Sequence, residues 1–136
     1  MKNAIKIFAL IMAVVICTVM LVSCSPASDP DDALAALKDN GYIASKDSTA
    51  VPIALGVLGV KDIDSVVAGT KKVDDKVEVI TIVYFKSKDA AKAAWETVEE
   101  YAQDKEDDSN NNSDFVIKKS GSMIYFGTED AIKAAR

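Results

Sequence analysis

The chain contains no histidine, and it has only two cysteines, three prolines and one tryptophan in 136 residues. Without an imidazole it lacks the commonest general base, the commonest metal ligand and the usual pH switch. Cys17 falls inside an apolar N-terminal run and Cys24 two residues after it, so the rest of the chain has no thiol for a disulfide or for catalysis. Its stability must come from packing. Positive charge is also short, with 16 Lys and Arg against 21 Asp and Glu and a formal charge of −5. A surface of that sign argues against nucleic acid as a partner.

Two lysines, Lys2 and Lys6, precede an apolar run from Ile7 to Val22. The order of charged region and hydrophobic core is that of an export signal. The run is shorter than the ~20 residues a spanning helix needs and slightly longer than an ordinary signal core of about 7 to 15, so length alone leaves both open. Leu21-Val22-Ser23-Cys24 then resembles the lipobox of bacterial lipoprotein precursors. The resemblance implies cleavage after Ser23, a diacylglyceryl group on the Cys24 thiol, and two or three acyl chains, palmitate among them, holding the protein in a membrane on its extracytoplasmic side. Two chains suffice for stable anchoring. Ser25 in place of the aspartate associated with inner-membrane retention fits an outer membrane or a one-membrane cell. Residues 1–23 are therefore expected as signal peptide, residues 24–29 as lipidated N-terminus and short polar tether, and residues 30–136 as one domain.

Asp29-Pro30-Asp31-Asp32 announces a helix, with an N-cap acceptor, a proline in the first turn and acids at the positive end of the dipole. Asn40-Gly41 ends it, and a short strand from Tyr42 to Lys46 is expected next. The apolar run Val51 to Val60 fits a buried helix or a buried strand. Pro52 and the Gly59-Val60 exit favour the helix, whereas Gly56 costs about 1 kcal/mol inside one. Two strands, Ile63 to Val73 and Val77 to Phe85, join at Asp74-Asp75-Lys76, and Gly69 reads as a possible bulge. The second strand is apolar on both faces, as a central strand would be.

Ser87-Lys88-Asp89 caps a helix reaching about Gln103, with Ala90, Ala94, Val98 and Tyr101 on its apolar stripe. A polar loop, 104–114, leads to a hairpin of Phe115 to Lys119 and Met123 to Phe126 around Ser120-Gly121-Ser122. Thr128 caps a last helix. The expected class is α+β: a single small domain with an antiparallel sheet, packed helices and a ferredoxin-like topology. The runs Ile82 to Lys92 and Lys119 to Thr128 resemble segments of small uncharacterised bacterial lipoproteins, a likeness that carries no activity with it.

Few residues offer chemistry. Oxygen-bearing side chains from Asp104 to Asp114 suggest calcium, yet an EF-hand started at Asp104 puts Ser109 where glycine belongs and Phe115 where the bidentate glutamate belongs, so a solvated loop is the better reading. Tyr84, Trp95, Tyr125 and Phe126 lie on apolar stripes and read as core, while Tyr42 and Tyr101 lie near element ends. Ser120-Gly121-Ser122 lacks the strand-to-helix setting of a nucleophile elbow. Glu99 with Glu100, or Asp74 with Asp75, would serve a hydrolase only if a cleft brought two carboxylates together. The expectation is a noncatalytic envelope lipoprotein without cofactor or metal, whose functional residue is Cys24 and whose partners are the membrane and an envelope protein. The alternative is a surface receptor for a small ligand or cation.

Overall fold

The computed structural model describes residues 25–48, 50–108 and 115–136. Four helices and five strands follow in the order α1 (Pro30–Asp39), β1 (Ile43–Lys46), α2 (Ala50–Val57), β2 (Ile63–Val73), β3 (Lys76–Phe85), α3 (Lys88–Asp108), β4 (Phe115–Ser120), β5 (Met123–Thr128) and α4 (Glu129–Ala134). They make a single α+β domain around one sheet ordered β1-β2-β3-β5-β4, every neighbouring pair antiparallel.

Local chemistry accounts for most boundaries. Asp29 Oδ1 accepts from the backbone N–H groups of Asp31 at 2.8 Å and Asp32 at 3.3 Å, satisfying donors that the first turn leaves open. Helices α1 and α2 end in the same way. Gly41 and Gly59 take positive φ, and the next residue donates back to a leucine, Tyr42 N–H to Leu37 O at 2.9 Å and Val60 N–H to Leu55 O at 3.0 Å. Both are Schellman ends, and each leucine and its partner is buried. Over the 51–60 run the helix, Ala50–Val57, is followed by its glycine exit, and it buries Leu55 while Ile53 and Val57 stay exposed, so it is a helix but not a buried one.

The pleat sends alternate residues of each strand to opposite faces. Val67, Ile80, Ile82, Tyr84, Met123 and Tyr125 pack under α1 and α4, through Leu37 and Ile132 among others. On the other face Val66, Val83, Phe85, Ile124 and Phe126 pack under α2 and α3, against Leu55, Ala94, Val98 and Ala102. Strand β3 is central and covered on both faces, as its two apolar sides require.

The ferredoxin-like expectation needs correction. Only β3-α3-β4, with β5 lying between the strands, has the split βαβ form. β1 and β2, also joined by a helix, are direct antiparallel neighbours, and helices cover both faces instead of segregating to one. The physical reason lies in β3 and β5, whose two apolar faces each need a cover.

Three local differences have simple causes. Helix α3 runs to Asp108 and not to about Gln103, since Gln103, Lys105 and Glu106 are good helix formers with no glycine or proline to stop them. Gly69 sits in regular register between Ala44 and Ile80, and the irregularity of β2 lies at Ile63 to Ser65. A side chain at Gly69 would lie 3.3 Å from Leu37 Cδ1, so the glycine makes room for α1. Thr128 makes no cap bond to α4. Its hydroxyl instead accepts from Val79 N–H at 3.2 Å and donates to Val79 O at 3.3 Å, completing the backbone pairing of β3 where β5 ends.

Candidate functional site

Cys24, the sequence-derived site, lies outside the described residues, but the segment that follows it is described. Residues 25–27, expected as a polar tether, lie against the domain. Pro26 is buried and Ser25 and Ala27 are half-buried. Ala27 N–H donates to Ala135 O at 2.8 Å, and the Tyr84 hydroxyl donates to Ala27 O at 2.7 Å. Ser25 Oγ lies 3.5 Å from the Tyr125 hydroxyl. Burial first, then the carboxylates of Asp29 and Asp32, pushes the Tyr84 phenol far above its ordinary range.

Beside this segment a hollow of about 70 Å³ opens between edge strand β4 and helix α4. Val116, Tyr125 and Ile132 supply apolar surface, and Lys118, Lys133 and Arg136 supply three cations, with Glu129 also lining it. Strand alternation puts Lys118 on the side of Val116, Lys133 lies on α4, and Arg136 follows the C-cap Ala135. Among the described residues the three cations have no hydrogen-bonded or ion-paired partner. The arrangement suits a small anionic group.

A second hollow, about 200 Å³, lies between the Gly59–Asp62 turn and Ala90, Ala93, Ala94 and Thr97 of α3. Asp62 there takes a left-handed conformation, and its carbonyl accepts from Lys86 N–H at 2.9 Å. Nearby in sequence, α2 and the turn after it expose Ile53, Val57 and Leu58, with Val57 82% exposed. Its lining sets the small side chains of α3 beside Lys61, Asp62 and Thr97.

The other sequence candidates are not brought together. Asp104 to Asp108 belong to α3, while 109–114 lie outside the described residues. Among the described residues no three acidic, cysteine or histidine side chains are grouped to hold a metal. Asp74 and Asp75 form the β2–β3 turn, and Glu99 and Glu100 lie on α3. Tyr84, Tyr125 and Phe126 are buried core, and Tyr101 packs edge-on against Phe126 with ring centroids 6.1 Å apart. Tyr42 is buried at the end of α1, and burial, then Glu78 and Asp130, raises its pKa.

No family model, curated protein or solved structure matches this chain. No described helix is long and apolar enough to cross a membrane. The cationic hollow was missed from sequence. The Lys133 and Arg136 spacing was visible, yet nothing local says that β4 lies beside α4.

Proposed function

We propose that the chain is a noncatalytic cell-envelope lipoprotein, acylated at Cys24, whose domain serves as a binding or accessory module for another envelope protein. The observation that carries the anchoring is the lipobox Leu21-Val22-Ser23-Cys24. The docked Ser25–Ala27 segment supports it, since it would hold the domain close to its lipid instead of letting it swing on a free linker. The exposed apolar side chains of Ile53, Val57 and Leu58 support a protein partner. Replacing Cys24 by alanine is expected to abolish incorporation of labelled fatty acid; unchanged labelling would refute the anchor. Crosslinking of the native membrane-bound protein, followed by mass spectrometry, is expected to recover one envelope protein reproducibly through α2. Recovery of none would count against the module.

A further inference from the structure

We infer that the hollow between β4 and α4 binds the phosphate of an anionic phospholipid headgroup and so holds the domain on the membrane in one orientation. The inference rests on the anchoring proposed above.

Two independent features meet at Tyr125. Its hydroxyl lies 3.5 Å from Ser25 Oγ, and its ring lines the hollow with Lys118, Lys133 and Arg136. Ser25 directly follows the residue that would carry the lipid, and neighbouring Cα atoms are about 3.8 Å apart. An acyl chain leaving the polypeptide there brings the leaflet's phosphate layer to this side of the domain. The cations line the hollow beside the same tyrosine and so lie on the side of the domain that would face that layer.

Charge argues the same way. The chain as a whole is acidic, at −5, and an anionic membrane would repel it in most orientations. Glu129 lines the hollow too, and Asp130 follows it on α4, yet the three cations leave the lining positive. Arginine can hold a phosphate through two parallel N–H donors, and lysine adds a mobile point charge. A space of this size takes a few waters or one small polar group, which suits a phosphate and not a large ligand. Lys118 also sits on an edge strand, so headgroup contact would cover backbone groups that β4 leaves unpaired.

The test uses acylated protein purified from membranes and reconstituted in lipid nanodiscs of phosphatidylcholine alone or with phosphatidylglycerol. Amide hydrogen exchange is read over residues 115–120 and 129–136, and mass spectrometry reports acylation of Cys24. The anionic discs are expected to slow exchange at both segments. Lys118→Gln, Lys133→Gln and Arg136→Gln should each reduce that protection about fivefold, in keeping with the usual contribution of one basic side chain near an anionic surface. Lys119→Gln, on the opposite side of β4, should leave it unchanged, and equal melting temperatures would show that all variants fold. Equal exchange in the two kinds of disc, with Cys24 acylated, would overturn the inference and leave the anchor standing. Equal protection by inorganic phosphate in phosphatidylcholine discs would overturn the lipid as the source of the anion. A missing acyl group would remove the anchor and this inference together.

Discussion

The Tyr84 hydroxyl donates to the Ala27 carbonyl oxygen across 57 residues of sequence, at 2.7 Å, and so ties the chain's entry segment to the central strand. Ala27 completes the link from its other side, where its N–H bonds Ala135 O.

Tyr84→Phe should therefore cost about 1 kcal/mol in urea unfolding followed through the single tryptophan, Trp95, since the Ala27 carbonyl loses its donor. Alkaline pH tests the burial of the same phenol beside Asp29 and Asp32. Tyr84 has a pKa raised above its unfolded value near 10. The folded state then holds the proton that the unfolded state releases, so its contribution is complete below about pH 10 and is lost as pH rises above it. The wild-type protein should lose stability more steeply above pH 10 than Tyr84→Phe does. Parallel curves would argue against a phenol held protonated by its burial.

Two glycines should respond with opposite sign. Gly127, in β5, has φ 151°, and an added Cβ would collide with the Val79 carbonyl oxygen and lie 2.7 Å from Ile80 Cα. Gly127→Ala should cost at least about 3 kcal/mol, because backbone and not a flexible side chain must move. Gly56 lies in α2 with nothing within 4 Å of an added Cβ, so Gly56→Ala should stabilise by about 0.5–1 kcal/mol. Urea midpoints check both.

Asp47 replaces a missing strand partner. It takes φ 56°, and its Oδ1 accepts from Val66 N–H at 2.9 Å and Ser65 Oγ at 3.0 Å. Its own N–H donates to Val66 O at 2.7 Å. Asp47→Ala should destabilise by about 2 kcal/mol, through an unsatisfied amide on buried Val66 and a left-handed alanine. Asp47→Asn keeps both an acceptor and a tolerance of that conformation, and its melting temperature should stay close to the wild type's.

Leu37 and Gly69 should behave as a coupled pair. Leu37 is fully buried over Gly69, its Cδ1 3.3 Å from where a Cβ would stand. Leu37→Ala should cost about 2–5 kcal/mol, and Gly69→Ala about 1–3 kcal/mol by overpacking. The double variant should cost less than the two single losses combined, because the added methyl fills part of the space that the leucine leaves. Strict additivity across the three measured stabilities would show that the two do not share a space.

Much of the fold was legible where neighbouring residues carry the signal. Asp29 and Ser87 cap the helices they were expected to cap, the latter through Ser87 Oγ accepting from Ala90 N–H at 3.1 Å. The Gly41 and Gly59 exits follow from the same kind of local rule, and the turns expected at Asp74-Asp75-Lys76 and Ser120-Gly121-Ser122 are each one residue tighter, Lys76 and Ser120 joining their strands. Thr128 and Gly69 were misread because their partners, Val79 and Leu37, are distant in sequence. The cationic hollow was illegible for the same reason, since Lys118 and Lys133 become neighbours only after β4 docks beside β5.

Sequence alone determined the acidic balance, the lack of imidazole, the resemblance of Leu21-Val22-Ser23-Cys24 to a lipobox, and the type of nearly every helix and strand, because each depends on residues within a few positions of one another. Tertiary structure alone decided the strand order, the distribution of helices over both faces of the sheet, the docking of Ser25–Ala27 and the convergence of three cations beside Tyr125. Those outcomes depend on which apolar faces bury one another, a competition between segments that no local pattern records.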